Sequence, residues 1–427
     1  MPRADAKGRG YVEAAVHLST LSLALMPLLG MRPMVLAIAI WFALLLIRAA
    51  RKPPGIDRNM VRLSLFLSAP FLLMLLDLVR ADDPLASWHL AETSAPLLLM
   101  PVGFLLLGAP STERTRHAMM DILAFASLLL ATWVDLRLLI VGSAHLATAG
   151  GILGPGYRAA FAEVSGMHPP YAAYFFLTSA LFQVQRILDA ERLPKWRMGL
   201  ASLLVLSAGL IASRMPLIAF AIAVSLLIGR HLSTNARVRS VVIVAAAFFT
   251  LILAIPTLRE RWIRVFETPP ALPAEAGRND VNERSAILRC TLEQLETHWI
   301  FGMGQAKVQP ALDECYDGLG LPAMQGAGYS THDQALHWWL SFGVVGLAAF
   351  VALFFLPIRA ALRHLDGGHA AFVVFILVCG ITENVLARQW GVVLFACFNS
   401  LFIATHPRPS PSLDTTSQRN SRANDPG

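Results

Sequence analysis

Charge is what this chain has least of. Only 15% of its 427 residues are Asp, Glu, Lys or Arg, 56% are hydrophobic, and the mean hydropathy is +0.56. Water-soluble domains carry roughly a quarter charged residues, so that class is excluded. Cysteine is also scarce, at four, which excludes a disulfide-dense scaffold. There is no Cys-x-x-Cys, no Cys/His cluster with metal-ligand spacing, and no Asp-x-Asp placed to hold a divalent cation. No metal or other cofactor is expected. The glycines from Ala149 to Arg158 lack the Lys-Ser/Thr of a phosphate-cradling P-loop, so ATP is not expected there either.

What fills the chain is apolar sequence. About twelve runs are each long enough to cross a ~30 Å hydrocarbon core as a helix. They are 11–29, 33–50, 60–79, 88–108, 117–142, 166–188, 198–213, 215–230, 240–257, 333–357, 370–386 and 389–405. The expected fold is therefore all-α and polytopic. The basic N-terminus has no small-residue cleavage site after it and reads as the lead-in to a first span. Net charge is +7, but in a membrane protein the placement of Lys and Arg matters more than their sum, and no nucleic-acid partner is expected. Arg51, Lys52 and Arg58, then Arg114 and Arg116, then Arg186, Arg192, Lys195 and Arg197 fall in alternate connections, followed by Arg230, Arg237, Arg239, Arg359, Arg363 and Arg408. The positive-inside rule then places both termini in the cytoplasm and 258–332 outside. The expected organisation is spans one to nine in 1–257, an external loop domain in 258–332, spans ten to twelve in 333–405 and a disordered cytoplasmic tail in 406–427.

Polar residues near the outer face are the candidates for function. Asp77 with Arg80 reads as an interfacial pair, and Asp135 with Arg137 as a second carboxylate and guanidinium near that surface. Glu92, early in a span, needs either a cavity or a structural partner. His168 opens a span just before Pro169-Pro170, as a local cap or as a site residue. Arg214 sits in the short turn Ala212-Ser213-Arg214-Met215-Pro216, where it either snorkels to headgroups or presents a fork of donors to a phosphate. Arg388 occupies another outer turn, and the intramembrane Glu383 below it needs a cation, with Arg388 or a neighbouring arginine as the candidate.

The external loop holds Arg259, Arg261 and Arg264, and then an amphipathic stretch with Ile287, Leu288, Thr291, Leu292 and Leu295 on one face. Cys290 and Cys315, 25 residues apart in that loop, either pair or remain free thiols. Further on, His332, Leu336, Trp339 and Gly343 form one helical stripe, with Gly343 and Gly346 expected to admit a close helix neighbour. His337 is deeper and points elsewhere. Arginines facing outward in otherwise basic-poor loops suggest a diphosphate ligand, for which a membrane cavity has a lipid carrier available. With no acidic pair for a metal, the guanidiniums would neutralise the leaving phosphates themselves, which suits metal-free glycosyl transfer.

The chain resembles the bacterial O-antigen ligase family. The resemblance rests on the span layout, the large loop before span ten, and several short motifs: Gly166-Met167-His168-Pro169-Pro170, with Pro170 where the family has Asn; Ser213-Arg214; Phe301-Gly302-Met303-Gly304; and His332-Asp333-x-x-Leu336 with Gly343 following. It implies a GT-C-like glycosyltransferase of the bacterial inner membrane, working in lipopolysaccharide biosynthesis. Such an enzyme moves glycan from undecaprenyl diphosphate to lipid A-core at the periplasmic face, without metal and with inversion. By that resemblance His332 orients or deprotonates the acceptor hydroxyl, and Arg214 and Arg388, with Arg158 and Arg261, hold the diphosphate. Glu383, His168 and His337 are supporting residues. The same motifs occur in O-antigen polymerases and some protein O-oligosaccharyltransferases. A twelve-span secondary transporter is the competitor from another class, though the crowding of polar residues at one face and the lack of a convincing internal repeat argue against it.

Overall fold

The structure is a computed structural model that describes residues 2–55, 57–142, 151–154, 156–231, 234–267 and 281–406. Ala149 and Gly150 of the Gly-rich loop, the Pro- and Ala-rich stretch 268–277 and the expected disordered tail beyond His406 lie outside the described residues. Every regular element among the described residues is helical. In chain order they are α1 Pro2–Ser22, α2 Met31–Arg51, α3 Arg58–Asp77, α4 Pro84–Ser94, α5 Pro96–Pro101, α6 Glu113–Val141, α7 Tyr157–Ser165, α8 Pro169–Leu188 and α9 Lys195–Leu210. Then come α10 Arg214–His231, α11 Thr234–Ala254, α12 Pro256–Glu267, α13 Asn282–His298, α14 Gln305–Gly318, α15 Gln334–Arg363, α16 Gly367–Gly380 and α17 Gln389–Thr405.

Helix occupies each apolar run read from the sequence. Among the described residues, four helices (α2, α3, α6 and α15) are by themselves long and apolar enough to cross a membrane. The count rises to six if each of two bent pairs is one span, Pro84–Ser94 with Pro96–Leu106 at 40° and Val238–Ala254 with Pro256–Glu267 at 101°. Proline explains both bends, since Pro96 and Pro256 cannot donate the amide bond that would continue the preceding helix. Helix starts are set by side-chain caps: Asp57, Asp83, Thr112, Asp333 and Asp366 each accept from backbone amides of the first turn.

Two helices form the centre. In α8 every residue from Pro169 to Gln183 is buried, and in α17 every residue from Trp390 to Ile403. Both are apolar all round and rich in Phe, as a helix surrounded by other helices must be. A smaller core lies under the loop helices, where Ile287, Cys290 and Leu295 of α13 meet Val308, Leu312 and Tyr316 of α14 and Leu340 of α15. Cys290 and Cys315 are joined there as a disulfide.

Three local expectations change. Leu288 and Leu292 are 48% and 47% exposed, because α13 rolls so that Ala286 and Cys290 face the core with Ile287, Thr291 and Leu295. Gly343 is not part of a helical stripe: at φ 67°, ψ −152° it breaks α15. The close neighbour it admits is a loop, since a Cβ there would sit 1.9 Å from the Ile300 carbonyl oxygen. Met303 N donates to Leu340 O, Gly304 N to Ser341 O and Val344 N to Ile300 O, so the 300–304 turn satisfies groups freed by the break. Asp77 and Arg80 secure the same junction. The Arg80 guanidinium donates to Asp77, to Phe301 O and to Ser341 O, while the other Asp77 oxygen accepts from Gln305 N. Glu92 is exposed beside His89, and Asp135 accepts from Tyr157 Oη at 2.7 Å.

Candidate functional site

The α16–α17 connection, 381–388, and the four residues before α15 interlock side chain by side chain. Asn384 Nδ2 donates to Ser330 Oγ at 3.0 Å and Thr331 Oγ1 at 3.1 Å. Leu386 N donates to Gln334 Oε1 at 2.7 Å, and Tyr171 Oη of α8 donates to Asn384 O at 3.1 Å. Asp333 caps α15 through Leu336 N. Against this frame His332 adopts φ +48°, a left-handed conformation that a non-glycine residue keeps only when its surroundings over-determine it.

The consequence is an acid–imidazole pair. Glu383 Oε2 lies 3.3 Å from His332 Nδ1, and Glu383 Oε1 lies 3.4 Å from the Arg284 guanidinium of α13. Burial acts to raise the Glu383 carboxyl, but His332, Arg284 and His168 outweigh it and hold it below the usual carboxylate range, so it is ionised at neutral pH. Glu383 finds its cations in Arg284 and His332, not in Arg388, whose side chain is exposed at the start of α17. Tyr329 stands 6.3 Å from the His332 ring, with its hydroxyl on Glu283.

His168 connects this pair to the arginines. It makes no side-chain cap for α8, contrary to the local reading, and it is open to solvent at the helix mouth while protein walls it on other sides. That partial desolvation, opposed by Glu383 and reinforced by Arg158, Arg388 and His332, lowers its imidazole to about 4. It is therefore neutral at pH 7.

Arg158 and Arg261 line an open cleft of about 410 Å³ with Arg264, Glu260, Thr257 and Ala212. Arg158 donates to Ile211 O and Ser213 Oγ, Arg261 to Ala212 O, and Arg214 to Arg261 O. These bonds tie the 211–214 turn, where Ala212 has φ +55°, to α12. The structure thus gathers His332, Glu383, His168, Arg158 and Arg388 around one centre, with Arg214 and Arg261 knitted into the adjoining wall. His337 is buried inside α15, and its ring has no hydrogen bond or ion pair with this group.

Arg284, Tyr329 and Asn384 escaped sequence reading. Arg284 is the third residue of an amphipathic helix whose charges read as a solvated face. Asn384 sits next to the conspicuous Glu383 and was overshadowed by it.

Taken together, these features define an all-helical membrane protein with a basic, histidine- and carboxylate-bearing site at one end of its bundle. A family model described as O-antigen ligase matches residues 199–351, from α9 through the loop helices into α15. Over that stretch the chain is similar to the O-antigen ligase family, which lies within a superfamily of ligases and polymerases of the glycosyltransferase type. No curated protein matches the chain significantly.

Proposed function

We propose that the protein is an O-antigen ligase of the bacterial inner membrane. In this reading it crosses the bilayer twelve times with both termini in the cytoplasm, and the His332 end faces the periplasm. It transfers glycan from undecaprenyl diphosphate to the lipid A-core oligosaccharide, without metal and with inversion at the anomeric carbon. The observation that carries this is the convergence of His332 with Arg158 and Arg388 around His168. A base for an acceptor hydroxyl and cations for a leaving diphosphate belong within one substrate's length of each other.

The roles follow from chemistry. Guanidiniums of Arg388, Arg158, Arg214 and Arg261 offset the charge that develops on the diphosphate as its bond to the sugar lengthens. His332 takes the proton from the acceptor hydroxyl. The large loop before α15 favours a lipid A-core acceptor over a second lipid-linked glycan.

The test incubates purified protein, with chelator present, with undecaprenyl-diphosphate-linked glycan and either lipid A-core or a second lipid-linked glycan. Glycan on lipid A-core supports the ligase. Longer lipid-linked chains make the protein a polymerase, and no product with either acceptor reopens the transporter reading.

A further inference from the structure

Glu383 is an ionised carboxylate, 16% exposed, whose oxygens face two different segments: Oε2 is 3.3 Å from His332 Nδ1 and Oε1 is 3.4 Å from Arg284. Both sides of the imidazole contact are immobilised, the carboxylate's loop through Asn384 and Leu386 and the histidine's through Thr331 and Gln334. A frame that rigid around a left-handed histidine does more than neutralise a charge, because a surface pair would need neither the strain nor the interlock. A carboxylate on one imidazole nitrogen selects the tautomer with its proton there and leaves the other nitrogen free to act as base.

We propose that Glu383 is the positioning residue of the transfer, holding His332 with Nδ1–H on the carboxylate and Nε2 toward the acceptor, while Arg284 aims the carboxylate. The proposal rests on the glycosyl-transfer reading above. In the step, Nε2 takes the proton of the acceptor hydroxyl, and the oxygen forms its bond to the anomeric carbon. The bond from that carbon to the diphosphate oxygen breaks, and its electron pair leaves with the lipid diphosphate. The imidazolium formed lies against Glu383 and afterwards releases its proton to solvent. The titratable and charged groups around the pair are Arg284 from α13, His168 at the mouth of α8, Arg388 at the start of α17, and Asp333 and Tyr329 beside His332.

The experiment measures transfer against pH for wild type, Glu383→Gln, Glu383→Asp, Arg284→Ala and His332→Ala. Histidine ¹⁵N spectra are recorded in parallel on the same proteins in nanodiscs, with the His332 signal assigned by its absence in His332→Ala. Glu383→Gln is expected to lower kcat by about 10²–10⁴-fold, the range for a general base lost or misoriented, with little change in KM for the lipid donor. The low-pH limb of its profile, where the base is protonated and idle, should move to lower pH, since the opposite charge that favours the imidazolium is gone. Glu383→Asp should recover part of the rate, and Arg284→Ala should shift the limb by less. The ¹⁵N spectrum of wild type should report the Nδ1–H tautomer, and that of Glu383→Gln should lose it.

A wild-type pH profile in Glu383→Gln would overturn the proposal, as would a fall in rate with an unmoved limb, which means a structural role. So would an active His332→Ala beside a dead Glu383→Gln, since Glu383 would then act on the acceptor itself. If wild type transfers nothing to either acceptor, the function reading fails separately, and the tautomer comparison still decides the positioning claim.

Discussion

Two clusters of charge lie at opposite ends of α16, and they are built differently. At its start, Asp366 caps the helix and pairs with Arg116 at 2.7 Å, Arg116 also reaches Glu113 at 3.0 Å, and His406 lies 3.6 Å from Asp366. The Arg116 guanidinium stacks on Phe402, and His364, His369 and His406 pack ring on ring. At its end, Glu383 holds His332 and Arg284 at 3.3 and 3.4 Å, with His168 acting on the same carboxylate. Close, buried pairs such as Arg116 with Asp366 at 2.7 Å and with Glu113 at 3.0 Å suit a group that joins helices. More exposed contacts at 3.3 and 3.4 Å, with a strained histidine among them, suit a group that exchanges partners with a substrate. Burial and geometry both separate them: Arg116 and Asp366 are 9% and 8% exposed, whereas Arg284, His332 and Glu383 are 39%, 25% and 16%.

The sharpest break of this comparison exchanges stability for activity. His332→Ala should lower transfer by about 10²–10⁴-fold with the thermal midpoint nearly unchanged, because it removes a base and no packing. A large fall in midpoint would make the His332 end structural. Arg116→Ala should do the reverse, costing about 3–5 kcal/mol through the uncompensated Asp366 while transfer per folded molecule stays at wild-type level. Denaturation in detergent alongside a transfer assay reads both.

Smaller effects refine the His332 end. Replacing Cys290 and Cys315 with Ser should cost about 2–4 kcal/mol by releasing the closed loop that joins α13 to α14. It should also weaken transfer, because α13 carries Arg284; loss of stability without loss of rate would detach Arg284 from the site. Gly343→Ala should cost about 1–3 kcal/mol, since an L side chain is strained at that φ and its Cβ meets Ile300 O. Protease sensitivity near residue 300 is the matching readout.

The smallest effect is a pH asymmetry. Burial acts to raise Asp366, but His406, Arg116 and the His369 amide hold it well below the ordinary carboxylate range. A carboxyl lower in the folded than in the unfolded chain stabilises fully above its unfolded value, and that stability is lost as pH falls through the folded one. The thermal midpoint should therefore drop below about pH 4 in wild type and less steeply in Asp366→Asn, with carboxyl reference values near 3.9.

Much of the fold was legible because lipid allows few solutions. Apolar runs of span length declare helices, and Asp57, Asp83 and Asp366 mark starts by capping chemistry that is local. Single residues of the site were legible for the same reason, since His332, Arg214, Glu383 and Arg388 are each conspicuous in an apolar background. Their partners were not. Arg284 and Glu383 are nearly a hundred positions apart, and Gly343 looks like any small residue of a helical stripe until the 300–304 turn is seen docked on it. The sequence by itself determined the helical class and several helix starts, because hydropathy and capping act over a few residues. Only the tertiary structure decided that Glu383 faces His332 and Arg284, that Asp77 and Arg80 clamp a helix break, and that Arg388 stands free of Glu383. Those outcomes depend on how helices roll and cross, which packing of the whole bundle sets and no local pattern encodes.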